Sequence, residues 1–283
     1  MSAVSYYPGC SLHASARDYR EAIAGVAEHL GLDLKEIEDW SCCGATAAHA
    51  LDHELALSLA ARNLHLAEKT GLDLVIPCAL CFHELKVGEK ALLKDGWSGA
   101  PQFPFEGKIK VWDLVTFLAQ EEWLARFKEK VVRPLKGLTT VCYYGCQVAR
   151  PPDVTGHPDP ENPTEMEKIV AACGATAVDW SHKTDCCGAS LSIPRQDILF
   201  KLVGDLYDQA LACQAQAIIV SCQMCQANLD MYQAEISRAR GREYNIPIVY
   251  FVELMGLAAG LSQTEKWLAR HFVDPRPLFK ELK

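Results

Sequence analysis

Short runs of apolar and β-branched residues alternate along this chain with longer segments of helical period. Residues 4–7, 34–38, 74–77 and 108–112 read as strands, and residues 139–143, 175–179, 217–221 and 247–251 as their counterparts further on. Between them, residues 17–30 carry Ile23, Val26 and Leu30 at helical spacing and stop at Gly31. Residues 51–70 place Leu51, Leu55 and Leu59 on one helical stripe and stop at Gly71. Thr164-Glu165-Met166-Glu167 has capping-box form ahead of a helix ending at Gly174. Residues 121–130, rich in Glu and Lys, read as a solvated helix face. Strands alternating with helices predict an α/β fold on mostly parallel sheets.

The pattern occurs twice, and cysteines mark the repeat. Tyr7-Pro8-Gly9-Cys10, Cys42-Cys43-Gly44-Ala45 and Cys78-Ala79-Leu80-Cys81 are followed, in the same order, by Tyr143-Tyr144-Gly145-Cys146, Cys186-Cys187-Gly188-Ala189 and Cys222-Gln223-Met224-Cys225. In both halves 34 residues separate the double cysteine from the CxxC pair. The preceding gap is 31 residues in the first half and 39 in the second. The surplus falls in residues 151–163, which hold five prolines and read as a loop, where insertions cost little. The order implies a duplication: two pseudo-twofold-related repeats, residues 1–134 and 135–283, each a mostly parallel sheet with flanking helices. The break is set near Arg133-Pro134, where a charged helical stretch meets a breaker.

Each cysteine motif then follows a strand and precedes a helix. That edge of an open α/β sheet is where ligands collect. Helix N-termini there offer backbone N–H groups and positive dipole ends to thiolates.

Composition narrows the chemistry. Thirteen cysteines in a 283-residue chain do not fit a small, even-numbered disulfide scaffold. The opening residues show neither a basic segment nor a long apolar core, so no secretory signal is expected and a reducing, cytoplasmic setting is. The formal net charge of −8, without a Lys/Arg run, argues against a nucleic-acid partner. The longest uncharged stretch, residues 209–229, contains five Gln and is not expected to cross a membrane.

Five soft ligands per half exceed what one tetrahedral zinc takes. Adjacent cysteines diverge, so a polynuclear centre suits them better, and thiolates are the usual ligands of iron–sulfur clusters. A single zinc in the first half is the alternative. These residues resemble the tandem cysteine-rich CCG domains of the heterodisulfide reductase B-subunit family. The resemblance implies two non-cubane [4Fe-4S] clusters flanking a site of disulfide cleavage or formation. Cys10, Cys42, Cys43, Cys78 and Cys81 would hold one; Cys146, Cys186, Cys187, Cys222 and Cys225 the other. It further implies the family's ferredoxin-like C subunit and flavin-containing A subunit as partners, with a small disulfide or thiol, or a lipoate-bearing protein, as substrate. The same domain occurs in iron–sulfur subunits of dehydrogenases, so an electron-transfer role without disulfide chemistry is the competing expectation. No ferredoxin-type CxxCxxCxxxCP segment lies on this chain.

Outside the repeat, Cys142, Cys173 and Cys213 read as strand or core residues. His13, His49, His83 and Arg150, close in sequence to the patterned cysteines, and Arg195 are candidates for proton donation or for holding a substrate anion. Trp40 and Trp180 are expected to pack against the cysteine sites. The tail from Asp274-Pro275-Arg276-Pro277 is too broken for a long helix and is expected to meet a partner.

Overall fold

A computed structural model of the chain describes residues 2–94 and 96–282. Two four-stranded sheets form. The first holds β1 (Ser2–Tyr6), β2 (Leu32–Glu36), β3 (Leu74–Ile76) and β4 (Val111–Asp113) in the order β2-β1-β3-β4. The second holds β5 (Thr139–Tyr143), β6 (Thr176–Ala177), β7 (Ala217–Val220) and β8 (Ile248–Tyr250) in the order β6-β5-β7-β8. All pairings are parallel. The central strands explain their composition: β7, Ala-Ile-Ile-Val, is buried throughout, as a parallel strand covered on both faces must be. The edge strand β2, Leu-Asp-Leu-Lys-Glu, keeps only its first residue fully buried.

The shared order places the cysteines. In each sheet the chain runs outward from the first strand to the second, then returns to the other side of the first. The crevice between β1 and β3, and that between β5 and β7, is therefore the topological switch point where ligands bind. Cys10 and Cys78 follow β1 and β3; Cys146 and Cys222 follow β5 and β7.

The halves interlock through helices. Arg17–Leu30 of the first half packs on Phe251–Ala258 and Thr264–Leu268 of the second. Glu165–Ala172 of the second packs on Leu114–Leu118 and Glu121–Lys130 of the first. Each half thus packs the helix between its first two strands on the helices that follow the other half's last strand, the self-complementary pattern of a twofold interface. One apolar core runs across both halves, from Val4, Leu12 and Ile23 through Val141 and Ile169 to Leu254. A second, smaller core around Tyr7, Leu64, Ile76 and Phe82 belongs to the first half alone.

Several elements depart from the sequence reading. The helix expected over residues 51–70 is broken at Asp52, whose extended backbone and carboxylate cap a new helix, His53–Glu68, by accepting from the N–H groups of Glu54 (2.9 Å) and Leu55 (3.2 Å). The break turns the expected stripe outward: Leu51 is 83% and Leu55 47% exposed, while Ala56, Leu57, Ala60, Ala61 and Leu64 are buried. Strand β2 starts two residues early because its register runs from Ser2↔Leu32 to Tyr6↔Glu36. Thr164 makes no side-chain cap; Glu165 accepts from the Thr164 N–H instead, and Glu167 is engaged by Tyr144 and Lys183. The tail packs on its own chain: Phe279 is buried and its carbonyl accepts from Arg133 Nη2 at 2.8 Å. Among the described residues no helix is long and apolar enough to cross a membrane.

Candidate metal centre

Each cysteine set is gathered from three strand ends. In the first half Cys10 opens the Cys10–His13 helix, Cys42 and Cys43 lie in the loop after β2, and Cys78 caps the Ala79–Leu93 helix, its Sγ accepting from the Cys81 N–H at 3.4 Å. In the second half Cys146 follows β5, Cys186 and Cys187 follow β6, and Cys222 precedes the Gln223–Met231 helix.

Buried tyrosines hold the double-cysteine loops. The Tyr7 hydroxyl donates to the Ser41 carbonyl at 2.7 Å, and the Tyr143 hydroxyl to the Asp185 carbonyl at 2.6 Å. Ser41 and Asp185 each directly precede a double cysteine, so both bonds fix the same point of the two loops. Trp40 and Trp180 pack edge-on against these tyrosines, with centroids 5.4 and 6.3 Å apart. Buried Asn63 clamps both backbone groups of Ser41, at 2.9 and 3.0 Å. Asn228 Nδ2 donates to the Cys187 carbonyl at 3.1 Å and faces Cys187 Sγ at 3.8 Å.

Close approach explains the glycine before each leading cysteine. A Cβ on Gly9 would lie 2.9 Å from Cys81 Sγ, and one on Gly145 2.8 Å from Cys225 Sγ. Gly9 also holds φ 71° and ψ 164°, a region open essentially to glycine alone. Gly9→Ala is therefore expected to cost about 1–3 kcal/mol from backbone strain alone and to lower metal loading of the first set. Urea unfolding and metal analysis check this; a variant with unchanged midpoint and loading would show that the loop relaxes freely.

The sulfurs form one array. Cys43 Sγ lies 3.3 Å from Cys81 Sγ, and Cys187 Sγ 3.6 Å from Cys225 Sγ. The Gly44 and Gly188 N–H groups point at Cys42 Sγ (3.5 Å) and Cys186 Sγ (3.2 Å). The buried Cys78 and Cys222 thiols shift each other's acidity in opposite directions, which couples the two sets. Cys78, Cys81, Cys222 and Cys225 are buried, while Cys10, Cys42 and Cys186 are exposed. A small cavity is lined by Cys146, Cys186, Cys187, Cys222 and Cys225 together with Ala79 and Leu80 from the first CxxC.

Proximity splits the thiol acidities. The hydrogen bond from Cys42, and then that from Cys81, pulls Cys43 down to about 4. The Cys146 bond, aided by the Gly188 and Ala189 N–H groups against the effect of burial, pulls Cys186 to about 6. Cys222 is lowered by Cys225 and Cys78. Their partners move the other way: Cys78 is raised by Cys222, and Cys81 by Cys43. Without a cation, each thiolate is stabilised by a neighbour that keeps its proton. A bound metal group would release the remaining protons together. Five thiol donors from three segments in each half fit such a group chemically.

The other sequence candidates scatter. His13 pairs with Glu36 at 3.2 Å and stands beside Trp40 at the rim of the first set. His49 and His83 face the buried Glu84 at 3.6 and 3.9 Å. Arg150 donates to Thr184 Oγ1 at 2.7 Å, bracing the loop that carries Cys186. Arg195 is held bidentate by Asp197 at the surface. Cys142 and Cys173 are fully buried, and Cys213 is half-buried. Sequence reasoning missed Tyr7 and Tyr143 as loop anchors, although aligning the repeats superposes them. It missed Asn63 and Glu84 for a different reason. Counted from the cysteines, Tyr207 stands at the position of Asn63, and Asn228 at that of Glu84, so no repeat signal marks either.

Residues 4–86 and 140–230 match the cysteine-rich (CCG) domain model. The chain is 31% identical to the 8-methylmenaquinol:fumarate reductase membrane anchor subunit of Wolinella succinogenes, over 97% of this chain and 98% of that one. It is 26% identical to the B subunit of the ferredoxin:CoB-CoM heterodisulfide reductase of Methanosarcina mazei, over 97% of this chain and 95% of that one. A heterodisulfide reductase B-subunit-like protein of Archaeoglobus profundus is 25% identical over 90% of this chain and 89% of that one. A hypothetical protein from Helicobacter pylori shares the fold, with a TM-score of 0.72 at 12% identity over 96% of this chain and 52% of that one. With two copies of the domain, the chain belongs to the cysteine-rich CCG family and is homologous to the heterodisulfide reductase B subunit.

Proposed function

We propose that this chain is the catalytic iron–sulfur subunit of a heterodisulfide reductase-type complex. Cys10, Cys42, Cys43, Cys78 and Cys81 hold one [4Fe-4S] group of non-cubane type. Cys146, Cys186, Cys187, Cys222 and Cys225 hold the other. The observation that carries this reading is the gathering of five cysteines from three strand ends in each half, with both CxxC pairs buried. The spacing of the sulfurs supports a polynuclear group over a single zinc. Among the described residues, the one group of three metal-ligating atoms within 4.8 Å of one another is Asp18, Glu253 and His271, not a trio of cysteines. Four thiolates around one zinc stand closer than that.

The balanced reaction is RSSR′ + 2e⁻ + 2H⁺ → RSH + R′SH, or its reverse. The bound groups would supply single electrons and iron sites with affinity for thiolate. The protein gathers ten sulfurs at two adjoining switch points, fixes the double-cysteine loops through Tyr7 and Tyr143, and leaves Cys10, Cys42 and Cys186 exposed. Ferredoxin-like and flavin-containing subunits feed the electrons, and a small disulfide or lipoate-bearing protein in the cytoplasm is the substrate.

One observation favours a second reading. The 31% relative is named as part of a fumarate reductase, which fits a relay protein passing electrons without disulfide chemistry. Anaerobic iron and sulfide analysis, EPR after adding thiol, and disulfide turnover with a small-molecule donor separate the two. The catalytic reading expects about eight iron atoms per chain, a thiol-induced EPR signal and turnover. Full iron without signal or turnover supports the relay, and zinc without iron or sulfide overturns both.

A further inference from the structure

Beside the cysteine array lies a buried ionisable cluster that the proposed chemistry leaves unused. His271, with a fully buried side chain, places Nε2 3.1 Å from Glu253 Oε1 and 3.9 Å from Asp18 Oδ2. Its Nδ1 lies 3.8 Å from Asp230 Oδ2 and 3.4 Å from Gln226 Nε2. Asp18 comes from the Arg17–Leu30 helix, Glu253 from Phe251–Ala258 and Asp230 from Gln223–Met231, so the cluster spans both halves. Asp230 also accepts from the N–H groups of Phe272 (2.8 Å) and Val273 (3.0 Å), and Glu253 from that of Tyr250 (3.0 Å).

The charges do not balance. Three carboxylates face one imidazole. The nearby cations Arg17, Arg270 and Lys266 pair with Glu21, and among the described residues none is ion-paired with Asp18, Asp230 or Glu253. Buried excess negative charge is costly, and protons are the simplest means of relieving it. Burial raises both Asp18 and Asp230 above the usual carboxylate range. For His271 burial acts downward, but Glu253, with Asp230 and Asp18, outweighs it and lifts the imidazole to about 9. Asp18 and Asp230 both line a cavity open to solvent, so a carboxyl is the group that gains or loses a proton.

Solvent and the sulfurs both lie within reach. A cavity of about 170 Å³ is lined by Asp18, Asp230, Arg17, Arg270, Gln223 and Tyr250. Gln223, the residue after Cys222, is 5% exposed and leaves its buried Oε1 without a partner. On the inner side, Tyr250 stands 6.2 Å from the His271 ring and stacks on Tyr19 at 4.1 Å. The Tyr19 hydroxyl donates to the Ser221 carbonyl at 2.7 Å and lies 3.4 Å from that of Pro77. These are the peptides directly before Cys222 and Cys78. Two buried, stacked aromatic rings lie between the ionisable cluster and these peptides, so a charge added at one is felt at the other.

We propose that Asp18, Asp230, Glu253 and His271 form a proton-uptake site coupled to reduction of the cysteine-held redox groups. When a redox group held by the cysteines gains an electron from the complex's donor, a proton from water in the cavity would form an O–H bond on the Asp18 carboxyl, leaving hydroxide in solvent. A second electron is matched by a second proton from cavity water on the Asp230 carboxyl, again leaving hydroxide in solvent, so two electrons and two protons are taken up, as disulfide cleavage requires. The inference rests on the array holding a redox group, and not on its cleaving a disulfide.

The test is a potentiometric titration of the holoprotein between about pH 6 and 9, followed by EPR, with dithionite as reductant and iron and sulfide measured alongside. In the wild type the potential falls as pH rises, with about one proton taken up per electron. Asp18→Asn and Glu253→Gln each lower that uptake by at least half while iron and sulfide hold. A flat wild-type titration at full iron, or an unchanged slope in Asp18→Asn, overturns the proposal and leaves the functional reading standing. One equivalent of non-cluster divalent metal that is lost in His271→Gln also overturns it, by showing a metal site instead. Protein free of iron overturns the functional reading and this inference together.

Discussion

Cys187→Ala is expected to cut disulfide turnover by roughly 100-fold or more, about 2.7 kcal/mol in transition-state stabilisation, and Cys43→Ala to do the same. Both sulfurs are buried, each beside a CxxC sulfur of its own half, at 3.6 and 3.3 Å. Loss of either removes a central donor of one set and leaves the other set's five cysteines in place. If cleavage draws one electron and one sulfur-binding site from each set, neither half suffices alone. The measurement is turnover with a small-molecule electron donor, alongside iron content and EPR. Near-normal turnover in a variant shown to lack its own cluster would replace the shared site with a one-cluster relay.

Legibility in the sequence followed how local each determinant was. Strands β5, β7 and β8 are apolar runs bounded by turn signals, and duplication exposed the cysteine order, so the α/β architecture and the ligand candidates could be read directly. The helix break at Asp52 was harder, because Leu51, Leu55 and Leu59 keep a helical period through a residue that also makes a good cap. The exchange of helices between halves has no local signature at all: Arg17–Leu30 reads as an amphipathic helix whichever sheet it covers. The same holds for the ionisable cluster, whose Asp18, Asp230, Glu253 and His271 meet only after both halves dock. The Cys78–Cys222 coupling likewise depends on docking, although the sequence marks each cysteine as its own half's ligand.

That coupling sets the expectation for Cys78→Ala. From separate ligand sets alone, the variant should lose about half of the iron and leave the second site untouched. The structure changes the second part. Cys225 and Cys78 hold the Cys222 thiol well below the usual thiol range, and Cys78 is raised in return, so the two sulfurs are coupled. Both are at most 3% exposed, and at that burial the loss of one partner is poorly screened by solvent. Cys78→Ala is therefore expected to halve the iron and to shift the EPR signal and potential of the cluster that remains. Cys222→Ala should mirror this on the first site. Cys10→Ala is the control, since Cys10 belongs to the same set but is exposed. It should weaken the first site with a smaller effect on the second. Iron analysis with EPR on all three variants checks the pattern. An unaltered second-site spectrum in Cys78→Ala, with half the iron gone and the protein folded, would mean two isolated centres. The two-electron reaction would then have to proceed without direct communication between the two sets.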